Sequence, residues 1–375
     1  MLIHFSILIL ILIVSYFYEH KFRANKIKVI AEGGKASDYR GSIIPWLIVF
    51  GYVAILAGMR SGMNDTSEYI LSFNHLSGSW SEIWSIIAGS GKDKGFDITG
   101  NLFKMFVSRD YHMWFLFFAT VESLLFSFTL RKEAISFFDT CFFFFTSSMY
   151  YNYFSMMRQW MAVVIVFWAS RFILKRQFIP YLLFCLLAAQ YHNSAYFMIF
   201  VYFIVSGKSW SRKQFILIII FVVSMSILNP LLGTLETLIS STDLEYSDVI
   251  TKMQSSQGSS WIRAVVAAVP VGLAFLYRNK TEFSGEMYDI SINASIVNLL
   301  LNVLAVFTSG LYVIRMATYF SIFNLILYPY LLNIIVPEKE RRVIKPMFYG
   351  IYFIYYIYQM NYSGTWIYKS EFITM

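Results

Sequence analysis

Charged residues are scarce in this chain of 375 residues. Asp, Glu, Lys and Arg together make up 14% of it, against about 25% in soluble globular proteins. Hydrophobic residues reach 58%, where about 45–50% is usual. A soluble fold of this length cannot bury so much apolar surface, so the composition excludes a soluble globular protein.

Cysteine and metal-ligand motifs are also scarce. The two cysteines, Cys141 and Cys185, lie inside apolar runs, so we expect buried thiols and no disulfide framework. The sequence contains no H-E-x-x-H, no D-x-D and no His/Cys pair at ligand spacing, and it lacks a P-loop and a serine nucleophile elbow. We therefore expect neither a metal site nor a cofactor.

The net charge of +8 does not indicate nucleic acid, and we expect no such partner. The basic residues form short clusters between apolar runs, which is typical of the loops of membrane proteins. The first run, from Leu2 to Tyr18, has neither a charged segment before it nor a small-residue cleavage site after it. We interpret it as a retained span rather than a signal peptide.

Apolar runs of roughly 16–22 residues recur along the chain, and about 20 helical residues cross a bilayer core of about 30 Å. Membrane β-barrels need short alternating strands instead. The pattern predicts an all-α fold, a polytopic membrane helical bundle within a single transmembrane domain, 1–375. About twelve spans are expected, near 2–18, 43–59, 111–130, 135–154, 159–174, 178–191, 193–206, 214–232, 262–277, 289–308, 316–336 and 346–361.

The distribution of Lys and Arg predicts the topology. With the N-terminus outside, most of these residues fall on short inner loops, as the positive-inside rule requires. Both ends are then outside. Two long outer loops follow, 60–110 and 233–261, and we expect the first to carry one or two interfacial helices.

The stretch between Arg176 and Lys208 allows either one steeply tilted helix or two short ones that turn at Gln190–Ser194. Two short helices keep the basic clusters at both ends of the stretch on the inner side. Such a break in a membrane helix is tolerated only where it is buried in protein or lines a watery cavity. We expect the two short helices.

Polar residues follow the second span directly. Arg60 lies at its end, and Asn64 or Asp65 is placed to cap a following helix. Asp65 and Tyr69 are four residues apart, so they share a helix face. The alternative is an arginine that reaches the interface beside an ordinary helix cap.

Further polar residues lie at other span ends. Arg158-Gln159 sits in a tight turn between the fourth and fifth spans, and His192 stands in the break just described. Arg315 opens the eleventh span, with Tyr319 one turn later. A charge near the membrane core costs about 2.5–3.5 kcal/mol, so such residues tend to face a cavity or a partner. Interface anchoring and a structural histidine remain the alternatives.

The predicted topology places Arg60, Arg158, His192 and Arg315 at one membrane boundary, the outer one. Planar guanidiniums bind phosphate oxygens in pairs. Three of them at the headgroup level would form a natural site for a pyrophosphate.

Four motifs carry a resemblance to a known family over about residues 40–335. They are Arg60-x-Gly62-x-x-Asp65-x-x-x-Tyr69, Ser155-x-x-Arg158-Gln159-x-x-Ala162, Gln190-Tyr191-His192-x-Ser194-Ala195 and Arg315-x-x-x-Tyr319. In order and spacing they resemble the EpsG family of Wzy-type polysaccharide polymerases. The Arg-Gln and Tyr-His-Asn-Ser-Ala blocks are the most specific parts. Met63-Asn64 departs from the small residue that the family has after Gly62.

The resemblance implies a glycosyltransferase, multi-pass in the bacterial cytoplasmic membrane. The lack of metal-ligand motifs predicts that its chemistry is metal-independent. The enzyme would transfer a growing glycan from undecaprenyl pyrophosphate to a lipid-linked repeat unit at the outer face, making O-antigen, capsule or exopolysaccharide. The implied partners are the undecaprenyl-pyrophosphate-linked oligosaccharide, the lipid bilayer and a chain-length regulator protein. Direct displacement would invert the anomeric carbon.

The residues in these motifs suggest roles. Pyrophosphate binding falls to Arg158, Arg315 and Arg60, since positive groups placed where charge develops stabilise a transition state. The acceptor hydroxyl needs a base, and the candidates are His192 and Asp65, with His192 preferred because imidazole is basic near neutral pH. The expected substrate contacts are Gln159, Tyr69, Tyr319 and Asn193.

Two other classes of protein remain open. A lipid-linked oligosaccharide flippase or other transporter should carry charges deep within several spans, whereas here most lie near one face. A glycan ligase or an O-acyltransferase would share a one-sided site. An acyltransferase needs a route for its acyl donor, and the sequence shows no motif for one.

Overall fold

The computed structural model describes residues 2–226, 258–280, 285–308, 310–363 and 367–372. Over these residues it is all-helical, and its one β-type pairing is an isolated bridge between Gly62 and Lys369. The predicted all-α fold is therefore confirmed for the part of the chain that is described.

The α-helices are numbered in chain order over the described residues. They are α1 (Leu2–Ala31), α2 (Ile44–Gly58), α3 (Thr66–His75), α4 (Trp80–Ala88), α5 (Lys94–Phe106), α6 (Tyr111–Glu133), α7 (Phe137–Thr146), α8 (Asn152–Ser155), α9 (Met157–Leu174), α10 (Phe178–Ala189), α11 (Met198–Val205), α12 (Arg212–Ser226), α13 (Trp261–Leu276), α14 (Glu286–Phe307), α15 (Gly310–Ser321), α16 (Asn324–Tyr330) and α17 (Glu338–Ser363).

Four of the described helices, α1, α6, α9 and α14, are long and apolar enough to cross a membrane alone. A fifth candidate is the pair Tyr312–Ser321 and Asn324–Ile335, which is bent by 46°. Helices α2, α7, α10 and α13, and the helical stretch Asn193–Val205, are apolar but shorter. The chain has the helices of a membrane protein, and the count of twelve spans stays a prediction.

The chain divides into two compact units, one formed by residues 1–202 with 328–375 and the other by 203–327. In the second unit the start of α14 is hydrogen-bonded to the end of α11 and to the segment that follows it. Asn293 Nδ2 donates to the carbonyls of Val205 and Gly207 at 2.9 and 3.1 Å. Ser209 donates from its backbone N–H to Asp289 at 2.9 Å.

In the first unit, α2 packs closely on α6. A Cβ added at Gly58 would lie 2.7 Å from the Cβ of Leu116, so the approach of the two helices requires glycine there. Ser123 donates to the Phe50 carbonyl at 2.9 Å, and the rings of Phe50 and Phe126 meet edge-on at 4.8 Å. Small residues and interhelical hydrogen bonds of this kind stabilise the packing of membrane helices, because lipid provides no hydrophobic driving force for helix association.

A buried carboxylate ties α7 to α17 at one end of this unit. Asp139 accepts hydrogen bonds from Asn333 Nδ2 at 2.6 Å, from Lys345 Nζ at 2.9 Å and from the Tyr349 hydroxyl. A fully buried charge is tolerated only when paired and hydrogen-bonded, as here. Removing Lys345 would leave that charge uncompensated.

The predicted break between two short helices is confirmed. Helix α10 ends at Ala189, and a 3₁₀ turn, Asn193–Phe197, leads into α11. The chain turns back on itself, because Tyr181 donates to the Met198 carbonyl at 2.9 Å and the rings of Tyr181 and Tyr202 lie 5.4 Å apart.

The segment 60–110 holds three helices, α3 to α5, rather than the one or two that we expected. Capping divides the stretch, since Ser79 Oγ accepts from the backbone N–H of Glu82 and starts α4. Gly78, just before α4, has a φ of 69°, a left-handed conformation that glycine adopts without strain. Of the second predicted loop, residues 233–257 lie outside the described residues.

Candidate active site

Arg158 lies in the first turn of α9 and is the centre of a polar cluster. Its side chain is 28% exposed and has two loose ion pairs, with Asp93 Oδ2 at 3.8 Å and Asp97 Oδ1 at 3.9 Å. Arg158 Nη2 donates to Ser72 Oγ at 3.1 Å. The ion-pair distances exceed hydrogen-bond length, so the guanidinium is attracted to the carboxylates without being bonded to them.

Aromatic rings flank the Arg158 guanidinium, whose carbon lies 4.5 Å from the Phe96 ring centre and 5.9 Å from that of Tyr69. Its Nε is buried and has no hydrogen-bond partner among the described residues. An unmet buried donor costs about 1–3 kcal/mol, and more when charged. An additional acceptor group, such as a phosphate oxygen, would therefore be stabilised if it bound to Arg158.

The turn that contains His192 docks on the start of α5, in the same cluster. Asp93 Oδ1 accepts from the backbone N–H of Asn193 at 3.0 Å, and the Gly95 N–H donates to the Gln190 carbonyl at 2.9 Å. A Cβ at Gly95 would lie only 2.6 Å from the Cβ of Gln190. Asp93 thus links the Tyr-His-Asn-Ser-Ala motif to Arg158.

Asp97 is the carboxyl of this cluster with a perturbed acidity. Burial raises its pKa above the ordinary range, against the lowering effect of Arg158 and together with the raising effect of Asp93. A partly buried carboxyl with a raised pKa beside an arginine is a candidate acid or base.

Sequence reasoning missed both carboxylates of this cluster. Asp93 lies within the Gly-rich stretch 89–95, immediately before α5, and Asp97 lies in the first turn of that helix. The signal available in the sequence was only that two acids lie in and just after a Gly-rich stretch.

His192 caps the 3₁₀ turn that follows it. Its Nδ1 accepts from the Ser194 backbone N–H at 3.3 Å and lies 2.6 Å from the Ser194 hydroxyl oxygen. Because Nδ1 is the acceptor, the neutral ring carries its proton on Nε2. In this tautomer Nε2 is a hydrogen-bond donor rather than a base.

Asp65 occupies the N-cap position of α3, as predicted, but its side chain makes no capping hydrogen bond. The residue is half-buried, and its charge, together with the larger effect of burial, raises the pKa of Tyr69. The preceding Asn64 takes a positive φ of 43°. Asp65 therefore lies near Tyr69 and the Arg158 cluster.

Arg60 is buried beneath this cluster rather than presented at the surface. Its side chain is fully buried, stacks on Phe115 at 4.1 Å, and donates to Thr66 Oγ1 at 3.3 Å and to the Ala57 carbonyl. Burial lowers its pKa to about 10, so it stays charged near neutral pH. Arg60 fixes the exit of α2 against α3.

The C-terminal segment 367–372 covers this exit. Lys369 exchanges backbone hydrogen bonds with Ser61 and Gly62, at 2.9 and 3.1 Å. The Tyr368 hydroxyl donates to the Leu56 carbonyl at 2.7 Å. The sequence motifs ended near residue 335 and gave no indication of this contact.

The structure brings together some of the predicted residues of the first unit. Tyr69, Arg158 and Asn193 share the cluster, while Gln159 is buried within the helices. Arg315 and Tyr319 lie one turn apart on α15 in the second unit, half-buried and buried respectively. The convergence of three arginines therefore stays a prediction.

The long apolar helices are those of a membrane protein, and the polar cluster around Arg158 lies in its first unit. The family model of the EpsG family matches residues 43–373, and the chain belongs to this family. Membership suggests a polysaccharide polymerase-like membrane protein with a glycosyltransferase-like role. Searches of curated proteins and of solved structures returned no match.

Proposed function

We propose that this protein polymerises a polysaccharide at the outer face of the bacterial cytoplasmic membrane. It transfers the growing glycan from undecaprenyl pyrophosphate to the terminal sugar of the next lipid-linked repeat unit. The family match supports the polymerase type. The observation that carries the mechanism is Arg158, partly exposed, with a buried Nε that has no partner among the described residues.

Arg158 is the residue we propose for the pyrophosphate of the donor. A guanidinium binds two phosphate oxygens in a fixed fork, and here Phe96 and Tyr69 hold its plane. We propose Arg315 as a second phosphate ligand. Arg60 already donates hydrogen bonds to Thr66 and to the Ala57 carbonyl. We propose that its role is structural, fixing the segment that follows α2.

Asp97 is the base that we propose for the acceptor hydroxyl, ahead of His192 and Asp65. Its raised pKa brings it nearer to working pH, which favours proton transfer. His192, with Nδ1 engaged by Ser194, acts as a hydrogen-bond donor to the substrate. Tyr69, Gln159, Asn193 and Tyr319 stay proposed substrate contacts.

The reaction is a single displacement with inversion. The acceptor oxygen loses its proton to Asp97 and forms a bond to the anomeric carbon. The bond from that carbon to the pyrophosphate oxygen breaks, and undecaprenyl pyrophosphate leaves with the electron pair. Protonation of Asp97 removes the carboxylate charge that attracts Arg158, so the guanidinium becomes available to the leaving group as its charge develops.

Reconstitution tests this proposal. Purified protein in vesicles receives undecaprenyl-pyrophosphate-linked repeat units, and the products are separated by size while released undecaprenyl pyrophosphate is quantified. We expect a polymer ladder with one lipid pyrophosphate released per linkage. Movement of intact lipid-linked units across the bilayer without elongation would contradict the proposal and indicate a flippase.

A further inference from the structure

A second polar pocket lies at the other end of α6 and α9 and belongs to no site described above. It has a volume of about 300 Å³. Its charged lining consists of five cations and one acid: Arg40, Arg131, Lys132, Arg171, Lys175 and Glu133. Glu133 is paired with Lys132 at 3.3 Å, so the pocket keeps an excess of positive charge.

Buried polar atoms without partners line this pocket. Ser170 is 1% exposed, and its hydroxyl has no hydrogen-bond partner among the described residues. Arg171 Nε is also buried and has no hydrogen-bond partner among the residues that the structure describes. The Arg171 guanidinium stacks on the Trp168 ring. Such groups are rare in native proteins and call for a ligand or an ordered water. A donor hydroxyl and a guanidinium that line the same pocket suit an anionic oxygen.

The pocket is distant from the candidate active site. Thirteen residues of α9 separate Arg158 from Arg171, which corresponds to about 20 Å along a helix. That is a large part of the roughly 30 Å core of a bilayer. The two sites therefore lie toward opposite membrane faces, and one ligand headgroup cannot occupy both.

An apolar groove of about 240 Å³ lies along the same helices beside this pocket. Trp168 lines both the pocket and the groove, and Leu125, Ile165 and Phe184 continue the groove along α6, α9 and α10. A basic pocket beside an apolar groove, with Trp168 lining both, matches the two parts of a phospholipid.

We propose that the pocket binds the phosphate headgroup of an anionic phospholipid, with an acyl chain of that lipid in the groove. Ser170 and Arg171 hold the phosphate, and Arg40, Arg131 and Lys175 supply long-range attraction. Arg131 is fixed for this role, because its Nε donates to the Gly41 carbonyl at 2.9 Å.

Lipid titration of the full-length protein tests this proposal. Delipidated protein in detergent is titrated with phosphatidylglycerol, with phosphatidylcholine or with inorganic phosphate, and the melting temperature and retained lipid are measured. We expect saturable stabilisation by phosphatidylglycerol alone, weaker at high salt. Equal effects of the two lipids, or a full effect of inorganic phosphate, would overturn a lipid-headgroup site.

Charge-matched variants localise the binding. Lys175→Gln should weaken phosphatidylglycerol binding about fivefold, since each basic group near a charged lipid surface contributes about that factor. Arg171→Gln should weaken it further. The control is Arg176→Gln, an exposed neighbour that does not line the pocket. Lys175 is exposed, so the Lys175→Gln variant should fold normally. If Lys175→Gln does not change lipid binding, or if Arg176→Gln weakens it equally, the proposal is wrong.

Discussion

Gly95 should control whether the Tyr-His-Asn-Ser-Ala turn reaches the Arg158 cluster, and Gly95→Ala tests this. The new Cβ would lie 2.6 Å from the Cβ of Gln190 and 3.0 Å from its carbonyl oxygen, both shorter than ordinary contact. The turn must move by roughly 1 Å, and a misplacement of that size can cost about 10²-fold in rate.

The same substitution should lower stability by about 1–3 kcal/mol, the usual cost of overpacking. It strains the hydrogen bond from Gly95 to Gln190 and, through the turn, the one from Asn193 to Asp93. The matched control is Gly91→Ala in the same loop, where an added Cβ meets nothing within 4 Å.

The assay compares polymerisation rates of the two variants at equal amounts of inserted protein, with melting temperatures measured in the same detergent. We expect Gly91→Ala to retain the wild-type rate and Gly95→Ala to lose about 10²-fold. Equal rates in both variants would show that docking of the turn on α5 is not needed for the chemistry.

Three other predictions concern the base, the histidine and the topology. Asp97→Asn should lose at least about 10²-fold in rate, and the wild-type rate should fall as pH drops through the raised pKa of Asp97. Because the folded pKa of Asp97 is raised, the contribution of this carboxyl to stability is fully present below its unfolded pKa of about 3.9. That contribution is lost as pH rises through the folded pKa. The melting temperature of Asp97→Asn at pH 7 should therefore not fall, and a marked fall would show that Asp97 has a structural role. His192→Asn keeps a capping oxygen near the position of Nδ1, so the protein should stay stable and its polymerisation rate should fall about tenfold. A loss of about 10³-fold or more in rate, without loss of stability, would instead indicate that His192 is the base. Reporters fused after Lys175 and Lys208 should lie in the cytoplasm and one after Asn193 outside; opposite sides for the first two would refute the predicted topology.

The sequence was sufficient for features that depend on local pattern. Hydropathy and the flanking basic clusters predicted the break at Gln190–Ser194, because apolar length and loop charge decide how often a chain crosses a membrane. The same pattern located α6 and α9 to within a few residues. The EpsG motifs predicted the family that the match to residues 43–373 shows.

Features that depend on tertiary contacts could not be read in this way. A boundary position does not say whether an arginine points outward, and Arg60 proves to be buried while Arg158 is partly exposed. Asp93 and Asp97 belong to a loop and the helix after it, and only the fold places them beside Arg158. The capping role of His192 likewise requires the backbone geometry of its turn.

Arg158 carries the central claim, and Arg158→Lys tests it most directly. Lysine keeps the charge but loses the planar fork, so binding of undecaprenyl pyrophosphate and polymerisation should both fall, the rate by about 10²–10³-fold. Arg109→Lys, at an exposed arginine just before α6, is the matched control and should bind and polymerise normally. The decisive measurement is the affinity of purified Arg158→Lys protein for undecaprenyl pyrophosphate, taken together with its polymerisation rate. Wild-type affinity and rate would contradict the assignment of Arg158 as the pyrophosphate ligand.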